Sequence, residues 1–232
     1  MAPRKKAAPN AVYQLKVTLK RTRPPIWRRL HVRSDTRLSA LHEIIQTAMG
    51  WWNCHLHQFT IGGEEYGAPD LDEWFAVRDE QRVSLHQLPL PAKARFSYQY
   101  DFGDDWAHEI VVEKILPPDP IVTYPICLTG KRACPPEDVG GTWGYTEFLD
   151  NMSDPHHGEH ESMREWNGRK FDSEAFNLDT VNARLQSFRR PTLGGGAERS
   201  GQRGKVVARI KRPVAARPLP ARGRRVGLGG CQ

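Results

Sequence analysis

At 232 residues, with 38% apolar content and seven tryptophans, the chain is long enough to bury a core. A mean hydropathy of −0.63 and short apolar runs such as Ile110-Val111-Val112 exclude a helical membrane span. The net charge of +7 is uneven, because residues 1–9 carry three cations and residues 189–232 carry twelve against Glu198 alone, which leaves residues 10–188 at −7. The basic start MAPRKKAAPN lacks the apolar stretch of a secretory signal, so the cytoplasm is the expected compartment. In that setting Cys54, Cys127, Cys134 and Cys231 are expected as thiols or metal ligands rather than disulfides.

Residues 1–10 are expected to be a basic, disordered N-terminus, and the first element follows directly. In AVYQLKVTLK (11–20), Tyr13, Leu15, Val17 and Leu19 interleave with Val12, Gln14, Lys16, Thr18 and Lys20, the pattern of a strand with one buried face. Arg-Thr-Arg-Pro-Pro turns the chain into a second strand, IWRRLHV. Leu38, Leu41, Ile45 and Ala48 then recur at helical spacing, with Ser34–Thr36 as a source of capping groups and Gly50 suited to the C′ position. HLHQFTI reads as a third strand ended by Gly62-Gly63. After a charge-rich stretch, ARFSYQYDF and WAHEIVVEKIL form a closing pair around Gly103-Asp104-Asp105.

This order predicts an α+β fold with a β-grasp-like mixed sheet and one helix packed across it. A loop-and-helix part follows Pro117-Pro118. Residues 119–141 read as loop. Trp143–Met152 reads as a helix with Trp143, Phe148, Leu149 and Met152 inward, and His157–Trp166 as another. Asp179–Phe188 is expected to be a third helix, capped by Asp179. The domain is thus placed at 11–188, and the Gly-, Pro- and Arg-rich residues 189–232 are expected to be a disordered tail.

The loop CPPEDVGGTWGY concentrates the chemistry. Pro135-Pro136 restricts the backbone before Glu137-Asp138, while Gly140-Gly141 permits positive φ and close approach by another segment. Trp143 and Tyr145 can anchor its far end. Such a loop fixes two carboxylates in space, either for a ligand or, more plainly, for backbone caps or pairing with Arg28 or Arg29. A second acidic cluster, Asp101, Asp104, Asp105 and Glu109 with His108, lies in the last hairpin, where Asp and Gly are also ordinary turn residues. Were Asp101 or Asp105 to face Glu137 and Asp138, the oxygens could hold a divalent cation and support hydrolysis. A separate zinc set could combine Cys127 and Cys134 with His157 and His160, although six residues between the cysteines is a poor knuckle spacing. His55 and His57 read as packing or surface residues. Neither G-x-S-x-G nor a phosphate-binding glycine loop anchored on a strand occurs.

YQLKVTLKRTRPPIWRRLHV, LHEIIQTAMGWWNCHLHQF, YQYDFGDDWAHEIVVEKIL and CPPEDVGGTWGYTEFL together resemble the plasmid pRiA4b ORF-3-like family, over about residues 11–188. Some of its members are insertion-element passenger proteins labelled TnpR. The resemblance implies an α+β domain found on plasmids, mobile elements and chromosomes, with no established activity. Val139 stands where members often carry a cysteine, which removes one sulfur from any family metal set. Two functions therefore compete. The first is a non-enzymatic binding or accessory module for a protein or peptide, with Trp106, His108, Trp143 and Tyr145 as contact residues and the basic tail touching nucleic acid non-specifically. The second is a metal-dependent hydrolase or nuclease using Asp101, Asp105, Glu137 and Asp138. Carboxylates within reach of one cation favour the second. Carboxylates engaged in caps, with exposed aromatics nearby, favour the first.

Overall fold

The computed structural model describes residues 10–68, 77–168 and 171–188; the N-terminal segment 1–9 and the tail 189–232, both expected above to be disordered, lie outside them. The described chain runs β1 (Val12–Leu19), β2 (Ile26–Arg33), α1 (Leu38–Met49), β3 (His57–Ile61), β4 (Glu64–Gly67), β5 (Arg78–Asp79), β6 (Arg95–Tyr100), β7 (Trp106–Leu116), β8 (Ile126–Lys131), α2 (Gly141–Ser153), α3 (His160–Asn167) and α4 (Leu178–Leu185). The fold is α+β. Its strands form one mixed sheet in the order β5-β4-β3-β6-β7-β1-β2-β8. The mixed character comes from the parallel β4–β5 pair at one edge, and the central β1–β7 pair is antiparallel.

Alternation in β1 becomes a buried row of Tyr13, Leu15, Val17 and Leu19, joined by Ile26, Leu30 and Val32 of β2 and by Ile110 and Val112 of β7. Against this row α1 presses Leu38, Leu41, Ile45 and Ala48, the spacing read from the sequence. Gly50 closes α1 at φ +99°, donating its N–H to the Gln46 carbonyl. The start of α1 differs from expectation. Arg37 is the N-cap and contributes no side-chain cap, Leu38 N–H goes to the Val83 carbonyl, and Ser34 Oγ accepts instead from Ala11 N–H at 2.9 Å.

Arg28 occupies an inward position of β2 at 3% exposure. It takes no carboxylate. Its guanidinium donates to the carbonyls of Ala48 (2.8 Å), Trp27, Lys131 and Arg132 (each 2.9 Å) and lies over the Phe176 ring. One side chain thus ties β2 to the end of α1 and the exit of β8. Arg29 points to the other face of the sheet, where Nε and Nη2 grip Glu113 at 2.6 and 2.9 Å. Neither arginine pairs with Glu137 or Asp138, so of the two structural uses read from the sequence the arginine pairing is not found, while the backbone contact is made, with Glu137 accepting from Trp52 N–H.

Three further corrections concern the second half of the chain. Residues 126–131, read as loop, form strand β8 on the β2 edge. At Cys127 its outer backbone is met by one side chain, with Asn182 of α4 accepting from the Cys127 N–H at 2.8 Å and donating to the Cys127 carbonyl at 2.9 Å. Helix α4 is capped by Asn177, whose Oδ1 accepts from Thr180 N–H, rather than by Asp179. Trp143 is not inward. With Tyr145 and Phe148 buried, a residue five positions before Phe148 falls about 140° away around the helix, and Trp143 is 83% exposed. No described helix is long and apolar enough to cross a membrane.

Candidate functional site

Three segments meet beyond the C-terminal end of α1: residues Trp51–Leu56, the β6–β7 turn, and the loop that closes on α2. Tyr100, the last residue of β6, is the post between them. Its buried ring stacks on Trp51 at 5.2 Å, and its hydroxyl accepts from Cys54 N–H at 3.0 Å and donates to Glu137 Oε1 at 2.6 Å. The second Glu137 oxygen accepts from Trp52 N–H at 3.0 Å. Trp51 Nε1–H donates to the Pro135 carbonyl, so the prolines brace the loop against this post. Burial raises the Glu137 carboxyl above its ordinary range, despite the opposing hydrogen bonds from Tyr100 and Trp52.

Asp101 follows Tyr100 at φ +56° and Asp138 follows Glu137 at φ +59°, conformations that Asp tolerates better than most residues. Asp101 Oδ1 accepts from the N–H groups of Gly103 (2.9 Å) and Asp104 (3.3 Å), which builds the turn. Its Oδ2 stands 3.5 Å from His55 Nε2, and Asp138 Oδ1 stands 3.1 Å from the same nitrogen. That nitrogen is buried and lies outside hydrogen-bond geometry with either carboxylate. The three ligand-type atoms lie within 4.8 Å of one another, the sole such group among the described residues. Asp104 Oδ2 accepts from Gly140 N–H at 3.2 Å, and burial raises its carboxyl too. Gly141 is required here: at φ +69° its α-carbon packs directly under the Asp104 carbonyl, where a β-carbon would collide.

The predicted residues divide accordingly. Asp101, Glu137 and Asp138 converge. Asp105 does not join them, because Arg21 holds its Oδ2 at 2.6 Å and Gln99 its Oδ1 at 2.8 Å. Trp106, His108 and Tyr145 are buried at 0–3% exposure and present no surface to a partner. The four residues considered for zinc do not gather. Cys127 lies in β8 with Sγ against the Thr129 carbonyl, and Cys134 Sγ lies between Arg28 and Met49. His157 Nδ1 accepts from Glu159 N–H, and His160 faces the Asn151 carbonyl. Val139 is buried in the core.

Sequence reasoning gives His55 no role at the site and, apart from Trp143, does not identify the apolar rim. His55 precedes β3, so strand alternation does not govern it, and it parts from His57, which is partly buried with Nε2 2.8 Å from Glu80 and its ring stacked on His42. Five large apolar side chains are exposed among the described residues: Trp52 (61%), Leu56 (66%), Phe102 (48%), Trp143 (83%) and Ile121. Four of them belong to residues whose backbone adjoins the acidic cluster. Trp52 donates to Glu137, Leu56 adjoins His55 and accepts from Asp101 N–H, Phe102 follows Asp101, and Trp143 stands in the first turn of α2 beside Gly141. The signal was available in WWNCHLH and in a phenylalanine set inside an Asp/Gly turn.

The same framework recurs in other proteins. A crystal structure of a protein of unknown function, MM3350 from Methanosarcina mazei Go1, superposes with a TM-score of 0.66 at 37% identity, over 73% of this chain and 96% of that one. The uncharacterized protein y4hQ of Sinorhizobium fredii is 43% identical over 175 residues, covering 74% of this chain and 89% of the relative. The family model for plasmid pRiA4b ORF-3-like proteins matches residues 11–180, nearly the whole described body, and the chain belongs to the plasmid pRiA4b ORF-3-like protein family.

Proposed function

We propose that this protein is a binding module whose contact surface is the carboxylate cluster Asp101, Asp104, Glu137 and Asp138 with its rim of Trp52, Leu56, Phe102 and Trp143. One observation carries the reading: four of the five large apolar side chains exposed among the described residues belong to residues whose backbone adjoins this single cluster, through a hydrogen bond or within two positions in the chain of Asp101 or of Gly141, which packs on Asp104. Exposed tryptophans around a polar centre are typical anchors of recognition surfaces, since each buries a large area with few torsions to freeze. The centre is acidic and the rim apolar, so the matching partner is a peptide or protein segment that combines Lys or Arg with large apolar residues. Selection of displayed random peptides on the full-length protein tests this. Enriched sequences should pair basic and apolar residues and lose at least tenfold in affinity on Trp52→Ala/Trp143→Ala. Enrichment that ignores both tryptophans would overturn the reading.

A second reading has its own support in the approach of His55, Asp101 and Asp138 to within 4.8 Å, a donor set suited to Mn2+ or Zn2+. A bound ion would polarise water or a phosphoryl oxygen, which is the chemistry of a metal-dependent hydrolase. Titration with either metal, followed by calorimetry and thermal melting, distinguishes the two readings. Stoichiometric binding that His55→Ala abolishes supports the metal site, and hydrolysis of a phosphodiester lost in Asp101→Asn would support the enzyme.

A further inference from the structure

The chain itself contains a segment with the chemistry this surface selects. Residues 205–214, KVVARIKRPV, carry Lys205, Arg209, Lys211 and Arg212 with no acidic residue, interleaved with Val206, Val207, Ile210 and Val214. We infer that this C-terminal segment docks in cis on the cluster of Asp101, Asp104, Glu137 and Asp138, laying its apolar residues on Trp52, Leu56, Phe102 and Trp143. The inference rests on the reading of that cluster as an interface for basic, apolar segments.

Reach and charge both support it. Phe188, the last described residue, lines a groove with Arg37, Ala40 and Ile44, beside the N-terminal half of α1. The candidate surface begins at Trp51–His55, just past the C-terminal end of the same helix. Twelve helical residues span about 18 Å, so the path around the body is on the order of 20–30 Å. The connector of residues 189–204 can extend to roughly 50 Å, ample for that span. Once tethered, the segment faces its site at an effective concentration on the order of millimolar, so even a weak contact is populated. Residues 10–188 sum to −7 while residues 189–232 sum to +11, so the docking also neutralises unlike charge within one chain. In the docked state the segment competes with any external partner of the same chemistry, which makes the tail a built-in regulator of the surface.

Carbodiimide coupling on the full chain tests this directly, since it joins a lysine amine to a carboxylate only where the two touch. Equal amounts of 14N- and 15N-labelled protein are mixed, coupled and mapped by mass spectrometry. The expected products join Lys205 or Lys211 to Asp104, Glu137 or Asp138 within one isotopic species. Their yield should fall at least fivefold in Ile210→Asp, in Trp143→Ala and in 1 M salt, where the Debye length shrinks to about 3 Å. Coupling spread evenly onto exposed carboxylates such as Glu43, Glu147 and Glu161 would overturn the inference, as would products joining the two isotopic species. Selected peptides that bind through Trp52 and Trp143 while the tail fails to couple would refute the docking alone. Absence of both would refute the surface as well.

Discussion

Replacing Gly141 by alanine tests whether the loop is built around a close backbone approach. Gly141 opens α2 at φ +69°, and a β-carbon there would meet the carbonyl of Asp104, a backbone atom that cannot swing aside like a side chain. Two costs therefore add. Left-handed backbone costs a non-glycine residue about 1–2 kcal/mol. Displacing the Asp104 carbonyl, in a turn that Asp101 Oδ1 holds by two hydrogen bonds, costs a further 1–3 kcal/mol or so, as for overpacking. The expected loss is roughly 2–5 kcal/mol, read in urea as a lowered midpoint at unchanged slope. Gly140→Ala supplies the internal control. Its φ is +91°, but the nearest atom to a new β-carbon is the Gly144 α-carbon at 3.6 Å, so the backbone cost of about 1–2 kcal/mol stands alone. Gly141→Ala should thus be clearly the worse of the two. Equal losses, or a Gly141→Ala variant within 0.5 kcal/mol or so of the parent, would refute the argument from the Asp104 contact.

Stability should fall on mild acidification. Burial, with His57 alongside, holds His42 down to about 3, and burial holds His108 down to about 4, both from 6.5. A depressed histidine binds its proton in the unfolded chain first, so its stabilising contribution is whole above pH 6.5 and is lost progressively as pH falls toward the folded value. At pH 5 each histidine would account for a loss of about 2 kcal/mol, which the raised carboxyls of Glu137 and Asp104 partly offset. Melting temperatures at pH 7 and pH 5 check this, and a flat profile would contradict it. Arg28→Lys should cost about 3–5 kcal/mol by chemical denaturation, because an ammonium cannot reach the carbonyls of Ala48, Lys131 and Arg132 together. A loss under about 1 kcal/mol would show that water replaces the guanidinium there.

The sheet was legible where period-two alternation is clean. β1, β2, β6 and β7 were read within a residue or two, because one face of each is core and their hydrophobic pattern says so. β8 was not, since Ile126–Lys131 is only partly buried and its pairing depends on Asn182, distant in sequence. Helix caps failed for a related reason: the Leu38 amide is satisfied by Val83 from another segment. At the site, the proline-braced loop and the Asp turn are visible in the sequence as separate features, and the structure brings Asp101, Glu137 and Asp138 of the two together. Their meeting with His55 was not visible, because the residues that hold them together, Trp51 and Tyr100, act through packing and hydroxyl contacts with no signature in spacing. Phe102 escapes a sequence reading as a surface group because large aromatics are usually buried, and the same prior places Trp143, named above as a contact residue, on the inward face of its helix.

The surface itself is tested most directly by calorimetric titration of one selected basic, apolar peptide into the parent protein and into Trp52→Ala/Trp143→Ala. Both tryptophans are exposed, at 61% and 83%, so the double variant should melt within a few degrees of the parent and report on binding alone. At least a tenfold weakening, with binding to the parent that declines as salt rises, is the predicted result. Equal affinity for the two proteins would contradict it and move the contact surface elsewhere on the fold.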